Sequence, residues 1–325
     1  MDTWAVILAG GEGRRLETLT TDASGKRIPK QYCSLNGGMS LLEETIARTK
    51  GLCARDRICV SVTEQHRQWW SGPLRGLPAE NIVIQPRGRG TAYGILLPAL
   101  RILARDPAAT VLVLPSDHHV RDEEALRRAM RHAIAAAASR SEQVFLLGVE
   151  PDEPDPELGY VLADPQPRDT VRIVRHFVEK PQHREDINQL ICQGAMWNSF
   201  IFAAALPGLV SLYEAGDAST LRAMRTALEQ DRLNCSRAAI RRLYENLRDS
   251  DFCKDVLAGQ ERRLGLVPVA ACGWSDLGTP LRLQRAVNRL GTRPRSAAPG
   301  ASAAYPLNMR DQLHRVLQGV RAGME

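Results

Sequence analysis

The stretch Trp4-Ala-Val-Ile-Leu-Ala-Gly-Gly-Glu-Gly-Arg-Arg-Leu16 constrains this chain more than any other. An apolar run passes directly into Gly10, Gly11 and Gly13 and then into two arginines, the pattern of a buried strand that ends in a phosphate-sized loop. Glycines without Cβ atoms can turn several N–H groups toward one anion, and Arg14 or Arg15 can supply the counter-charge. Two familiar cradles fail on spacing. A dinucleotide fingerprint needs glycine where Leu16 stands, and a P-loop needs Gly-Lys-Ser/Thr after four residues. An ordinary glycine-rich turn remains open at this point.

At 325 residues and 35.9 kDa the chain can bury about three quarters of its unfolded surface, enough for one large α/β domain with an appendage. Nothing approaches a membrane span, and Met1-Asp2 does not open a signal peptide, so the expectation is a cytoplasmic protein without a membrane partner. The seven cysteines form no C-x-x-C pair and read as reduced thiols. Net charge is +6, but both signs are mixed along the chain, which argues against nucleic acid and fits a phosphate-rich small ligand. Only five of the 43 basic residues are lysine, and two of these, Lys30 and Lys180, fall in motifs.

The first 150 residues alternate strand and helix. Strands are expected before the glycines, at 57–62, 81–85, 110–114 and 143–149. The capping box Ser40-Leu-Leu-Glu43 starts one helix, Gly90-Thr91 opens another, and a long helix follows over 121–138. The polar stretch from Thr18 to Lys26 reads as a mobile flap over whatever the glycines bind. A Rossmann-like α/β fold follows, with a mainly parallel mixed sheet flanked by helices. Beyond Pro151 the chain predicts a hairpin or small mixed sheet (159–163 with 171–178), a mainly helical stretch over 206–258, a returning strand at 263–270 and a helix from Pro280. Residues 1–290 thus form a core with halves 1–150 and 151–290. The remainder, 291–325, reads as a Pro/Ala/Ser-rich linker and a short amphipathic helix, Met309 to Val320, that docks either on the core or on a second subunit of a homodimer.

Several short blocks carry acids or lysines where chemistry would need them. Leu112-Val-Leu-Pro-Ser-Asp117 places a carboxylate at the carboxyl end of a strand, where ligands of open α/β sheets bind. Asp117 there can hold Mg²⁺ beside a nucleotide, or it can cap the helix near Arg121. His118 and His119 lack a third ligand and receive no catalytic role. Phe177-Val-Glu179-Lys180-Pro181, Trp197-Asn198-Ser199 and Gly273-Trp-Ser-Asp276-Leu-Gly278 are each ordinary alone.

In order, however, these blocks resemble the sugar-1-phosphate nucleotidyltransferases, most closely the mannose-1-phosphate guanylyltransferase branch, over residues 4 to about 280. Leu8-Ala-Gly-Gly-Glu-Gly-Arg-Arg-Leu16 is similar to the family's L-A-G-G-x-G-x-R-L, which places its arginine at Arg15. Pro29-Lys30-Gln31 resembles P-K-Q, Gln85-Pro-Arg-Gly-Arg-Gly-Thr91-Ala the base-reading E-P-x-x-R-N-T-A, and Leu114-Pro-Ser-Asp117-His118 the L-P-A-D-H block. The resemblance implies the nucleotide-diphospho-sugar transferase fold, with a nucleotide-binding first half and a sugar-phosphate-binding second half.

It also implies roles. Leu8, Ala9, Gly10, Gly11, Gly13, Arg15, Lys30, Gln85, Arg89, Thr91, Ser116 and Asp117 would bind the nucleotide, with Arg15, Lys30, Asp117 and Lys180 carrying catalysis. Gly159, Tyr160, Glu179, Lys180 and Asn198 would hold the sugar phosphate, and Asp117 with Asp276 would hold Mg²⁺. The implied reaction transfers GMP from GTP to mannose 1-phosphate by in-line attack, giving GDP-mannose and pyrophosphate. The chain departs from the family at Gln85 (an acid there), Gly90 (asparagine), Phe200 (glycine) and Asp251 to Val256, a loose match to S-I-D-x-x-V. Other readings are a hexose-1-phosphate transferase using dTTP, UTP or ATP, and a non-catalytic nucleotide-sugar sensor. The expectation is a transferase core with a short tail, lacking the isomerase domain or β-helix of longer relatives.

Overall fold

A computed structural model of the chain describes residues 3–165, 170–290 and 307–322. The apolar run before the glycines forms β1 (Thr3–Ala9). It pairs in parallel with β2 (Ile58–Thr63) and β4 (Thr110–Pro115), and β3 (Ile82–Gln85) extends the sheet beyond β2. The register sets Ala9 opposite Val62 and Leu8 opposite Pro115, so these strands stop together and their following loops leave from one edge. Period-two alternation divides β1: Ala5 and Ile7 enter one core, Trp4 and Val6 the other.

The second half completes the same sheet. β5 (Val144–Val149) runs parallel to β9 (Leu264–Val269), and β6 (Tyr160–Ala163) forms a hairpin with β7 (Arg172–Val178). The expected turn of that hairpin at 164–169 lies partly outside the described residues. β8 (Met196–Ala205) inserts antiparallel between β4 and β5, giving the order β3-β2-β1-β4-β8-β5-β9-β7-β6. Because β8 runs the other way, its beginning, rather than its end, reaches the edge where β4 and β5 finish. There Trp197 pairs with Tyr160, and the Asn198 amide donates to the Gly159 carbonyl at 2.8 Å.

Helices cover both faces: α1 (Leu41–Arg48), α2 (Arg67–Trp70), α3 (Thr91–Leu103), α4 (Glu123–Ser139), α5 (Arg184–Cys192), α6 (Leu206–Leu233), α7 (Ala238–Asn246), α8 (Pro280–Arg289) and α9 (Met309–Ala322). The Ser40/Glu43 capping box is present as expected. The N-cap of α4 is Asp122, whose carboxylate accepts from the Glu124 and Ala125 amides, so Asp117 is not a cap. One core packs α3, α6 and α7 against the sheet, and another packs α4 on the opposite face. A third, smaller cluster joins α8 and α9 to Leu16 and Leu19, so Met309 and Leu313 of the terminal helix pack on the core.

The stretch 18–26 is a hydrogen-bonded turn and not an open flap. Thr21 bridges Arg27, the Ile28 amide donates to the Thr20 carbonyl at 2.9 Å, and Leu19 is buried. The linker, 291–306, lies outside the described residues. No helix among the described residues is long and apolar enough to cross a membrane.

Candidate active site

Two adjoining clefts open at the strand-end edge. One, with about 880 Å³ of open space, is lined by Gly10, Gly11, Ser61, Gln85, Gly90 and Thr91 among others. The other, about 920 Å³, is lined by Arg15, Ser116, Asp117, Gly159, Glu179, Lys180, Asn198 and Asp276 among others. Leu8, Gly11 and Thr91 face both, so the glycine loop is the partition between them.

The loop is held from behind. Gln31 donates to the carbonyls of Ala9 and Gly11, the Tyr32 hydroxyl to Ala9, and the Ser116 hydroxyl to Leu8 at 2.6 Å. Gly13 has φ +64°, and a Cβ there would sit 3.0 Å from the Lys30 backbone nitrogen, which is why only glycine serves. Gly90 is more restricted still: φ is +92° and an added Cβ would meet the Ser250 carbonyl oxygen at 2.0 Å. That carbonyl accepts from the Ala92 amide, and the Ser250 amide donates back to the Arg89 carbonyl, so a segment distant in sequence occupies the space an asparagine side chain would need.

Asp117 and Asp276 line the same cleft, and Lys30 joins the segments that carry them. Its Nζ lies 3.0 Å from Asp117 Oδ2, 2.6 Å from the Asp276 carbonyl and 3.4 Å from that of Leu277. His119 and Ser275 exchange backbone hydrogen bonds and fix the two segments further. Lys30 is buried and does not line the cleft; it stands behind Asp117. Burial pushes the Asp117 carboxyl up, but the Lys30 charge and then neighbouring cations outweigh it and hold it below its ordinary value. His118 is driven down to about 4 by burial, against the pull of Asp117, and is uncharged at neutral pH. Asp276 is clamped from the side: Oδ1 accepts from Arg282 and from the Gly278 amide, while Oδ2 lies 3.8 Å from Arg15. Arg282 also meets Asp155, and Arg15 reaches Glu157 at 2.8 Å.

On the far side, Lys180 pairs with Glu179 at 2.8 Å. Burial disfavours its charge, yet the Glu179 bond and the charges of Glu179 and Asp251 prevail and raise its pKa. Glu179, Asp251 and Cys253 offer ligand atoms within 4.8 Å of one another, the one such three-residue group among the described residues. With an ammonium already on Glu179 and the Cys253 thiol held protonated by burial, this group suits a cation less well than it suits the Lys180 side chain itself. Asn198 accepts from the Phe200 amide at 3.1 Å, stabilising the left-handed Phe200 (φ +60°) where β8 bulges. The Phe200 ring lines the cleft and meets Phe252 edge-on.

Some expected site residues are not brought to either cleft. Arg89 turns away because the carbonyls ending α7 attract it: Nε donates to Tyr244 at 3.0 Å and Nη2 to Glu245 at 3.2 Å. Tyr160 is fully buried, its hydroxyl bonded to the Asp155 backbone. Ala9 is buried beneath the loop, and Gly13 lines a separate cavity on the loop's other side. Conversely, Glu157, Arg282 and Asp155 enter the ionic network although no motif announced them, because their partners lie far off in sequence or outside any block.

These features define a class of protein. The nucleotidyl transferase family model matches residues 4–292, and the chain belongs to that family. Among curated relatives, the alginate biosynthesis protein AlgA of Pseudomonas aeruginosa is 30% identical over 285 residues, 84% of this chain and 56% of that protein. The mannose-1-phosphate guanylyltransferase of Escherichia coli is 35% identical over 208 residues, 61% of this chain and 42% of that protein. The chain therefore spans about half the length of the curated relatives it matches. A crystal structure from Thermus thermophilus, described as mannose-1-phosphate geranyltransferase, shares the fold over 100% of both chains with a TM-score of 0.72 and 24% identity.

Proposed function

We propose that this chain transfers GMP from GTP to mannose 1-phosphate, releasing pyrophosphate. The observation that carries the reading is the pair of clefts meeting at the glycine loop, with Asp117, Asp276 and Lys180 all lining the second. The nucleoside would lie in the first cleft, over Gln85 and Thr91, and the sugar phosphate in the second, among Glu179, Lys180 and Asn198. An oxygen of the sugar phosphate attacks the α-phosphorus; the new O–P bond forms as the bond to the β-phosphate oxygen breaks. The nucleophile is already anionic at neutral pH, so no base is needed, consistent with an uncharged, buried His118. Rate comes from alignment and charge neutralisation.

The carboxylates of Asp117 and Asp276 fit a hard divalent cation such as Mg²⁺. Among the described residues, the charged partner recorded for Asp117 Oδ1 is His118, at 3.7 Å, and for Asp276 Oδ2 it is Arg15, at 3.8 Å, both longer than a hydrogen bond, which leaves an oxygen of each acid for the ion. Bound there, the ion would neutralise phosphate charge. Pyrophosphate release in Mg²⁺, crossing GTP, ATP, UTP and dTTP against mannose 1-phosphate and glucose 1-phosphate, tests the reading. Release confined to GTP with mannose 1-phosphate is expected. Preference for another pair would keep the transfer chemistry and change its substrates, and silence across the grid by folded, nucleotide-binding protein would favour a sensor.

A further inference from the structure

We infer that α9 positions the reacting groups, acting through Met309 and Leu313; the inference rests on reading the cleft as the transfer site. Its docking uses backbone as well as side chains. Asn308 bridges Ser34 in parallel, the Ser34 amide donates to the Leu307 carbonyl at 2.8 Å, and the Met309 and Arg310 amides donate to Ser34 and Leu35 at 2.9 and 3.2 Å. These bonds fasten the start of α9 to the chain leaving Lys30. Met309 and Leu313 then enter the third hydrophobic cluster, both buried.

Four other members of that cluster are chain neighbours of the site. Leu16 follows Arg15, Leu277 follows Asp276, Leu283 follows Arg282, and Cys33 lies three residues past Lys30. All four are buried and none lines either cleft. Leu277 has φ +50°, a backbone conformation that a leucine keeps only where its surroundings over-determine it. α9 packs on both the Arg14–Leu19 turn and α8. A single small core thus backs the glycine loop, the Lys30 turn and the Asp276 turn, and α9 closes it. Undocking α9 would remove the shared surface that fixes three charged loops relative to one another. A misplacement of about 1 Å at reacting groups can cost about a hundredfold in rate.

Full-length Leu313→Ala and the milder Met309→Ala, each assayed well below its melting temperature, test this together with amide hydrogen exchange. Turnover should fall about tenfold or more while KM for the nucleotide changes less than about threefold, and Leu313→Met should restore it. The amides of 14–19 and 275–278 should lose protection together while β1 and β4 keep theirs. Wild-type exchange in those loops despite an undocked Arg310 amide, turnover within about twofold of wild type, or a uniform loss across the sheet would each overturn the inference. If wild type itself releases no pyrophosphate from any substrate pair, the transfer reading fails, and the exchange pattern alone decides whether α9 holds the loops.

Discussion

Replacing Lys30 by methionine keeps the aliphatic stem and deletes only the ammonium. Three contacts go with it: one to the Asp117 carboxylate at 3.0 Å and two to the carbonyls of Asp276 and Leu277. Removing one partner of a buried ion pair costs about 3–5 kcal/mol, and because the Asp117 side chain is 33% exposed, water recovers part of it; about 3 kcal/mol of destabilisation is expected. The pH dependence fixes the cause. Asp117 has a folded pKa below its unfolded value, so its contribution is present above the ordinary carboxylate range and is lost as pH falls through the folded pKa. The gap between wild type and Lys30→Met should therefore narrow in acid, where Asp117 no longer needs a cation. Denaturant unfolding at neutral and acid pH, with a double-mutant cycle against Asp117→Asn, measures both effects. A coupling near 2 kcal/mol is expected, and additivity within about 0.5 kcal/mol would refute the pairing. Turnover of either single variant should fall at least about a hundredfold.

Gly90→Ala should destabilise the protein by at least about 3 kcal/mol and weaken nucleotide binding, since the new Cβ meets the Ser250 carbonyl in a left-handed conformation; calorimetry and nucleotide titration read both. Arg282→Met should lower the Mg²⁺ concentration needed for half-maximal rate by taking a competing cation off the Asp276 carboxylate, while lowering Tm by leaving Asp155 without its partner; an unchanged Mg²⁺ requirement would count against Asp276 in the metal site. His118 has a folded pKa near 4 against about 6.5 unfolded, so between these values the unfolded chain takes up a proton that the folded one refuses. Stability should be complete above about pH 6.5 and fall by about 3 kcal/mol toward pH 4, and His118→Gln measured with chelator should flatten that slope.

What could be read from the sequence was what is encoded locally. The apolar run and glycines of β1, the Ser40/Glu43 box and the α3 periodicity each rest on neighbours within a few residues, and each reappears in the fold. Strand direction is not local. Nothing within Met196–Ala205 says that it runs antiparallel between β4 and β5, yet that reversal brings Asn198 to the strand-end edge. Arg89 lies away from both clefts for a related reason: a cation inside a base-reading motif looks committed to ligand, but the carbonyls it bonds belong to α7, some 155 residues on. Gly90, a departure from the family motif on paper, is required by the Ser250 backbone that packs on it.

On the proposed reading, two of the basic groups beside the acids, Lys30 and Arg15, divide the work between a fixed charge and a movable one. Lys30 is buried, with its ammonium shared among a carboxylate and two carbonyls, so drawing it toward a phosphate would strip all three at once. Arg15 is half-exposed, bridging Glu157 and Asp276 across the cleft, and exposed pairs of this kind are worth about 0–1 kcal/mol. A triphosphate can displace Glu157 from the guanidinium with little loss, and Arg15 gains a bidentate partner. On the proposed reading, then, substrate binding moves Arg15 and leaves Lys30 in place. Arg15→Lys should raise KM for the nucleotide, because a compact ammonium loses the fork geometry, while stability should stay within about 0.5 kcal/mol of wild type. The reverse pattern, with stability lost and KM unchanged, would show that Arg15 is the fixed strut and that the roles of the two cations are inverted.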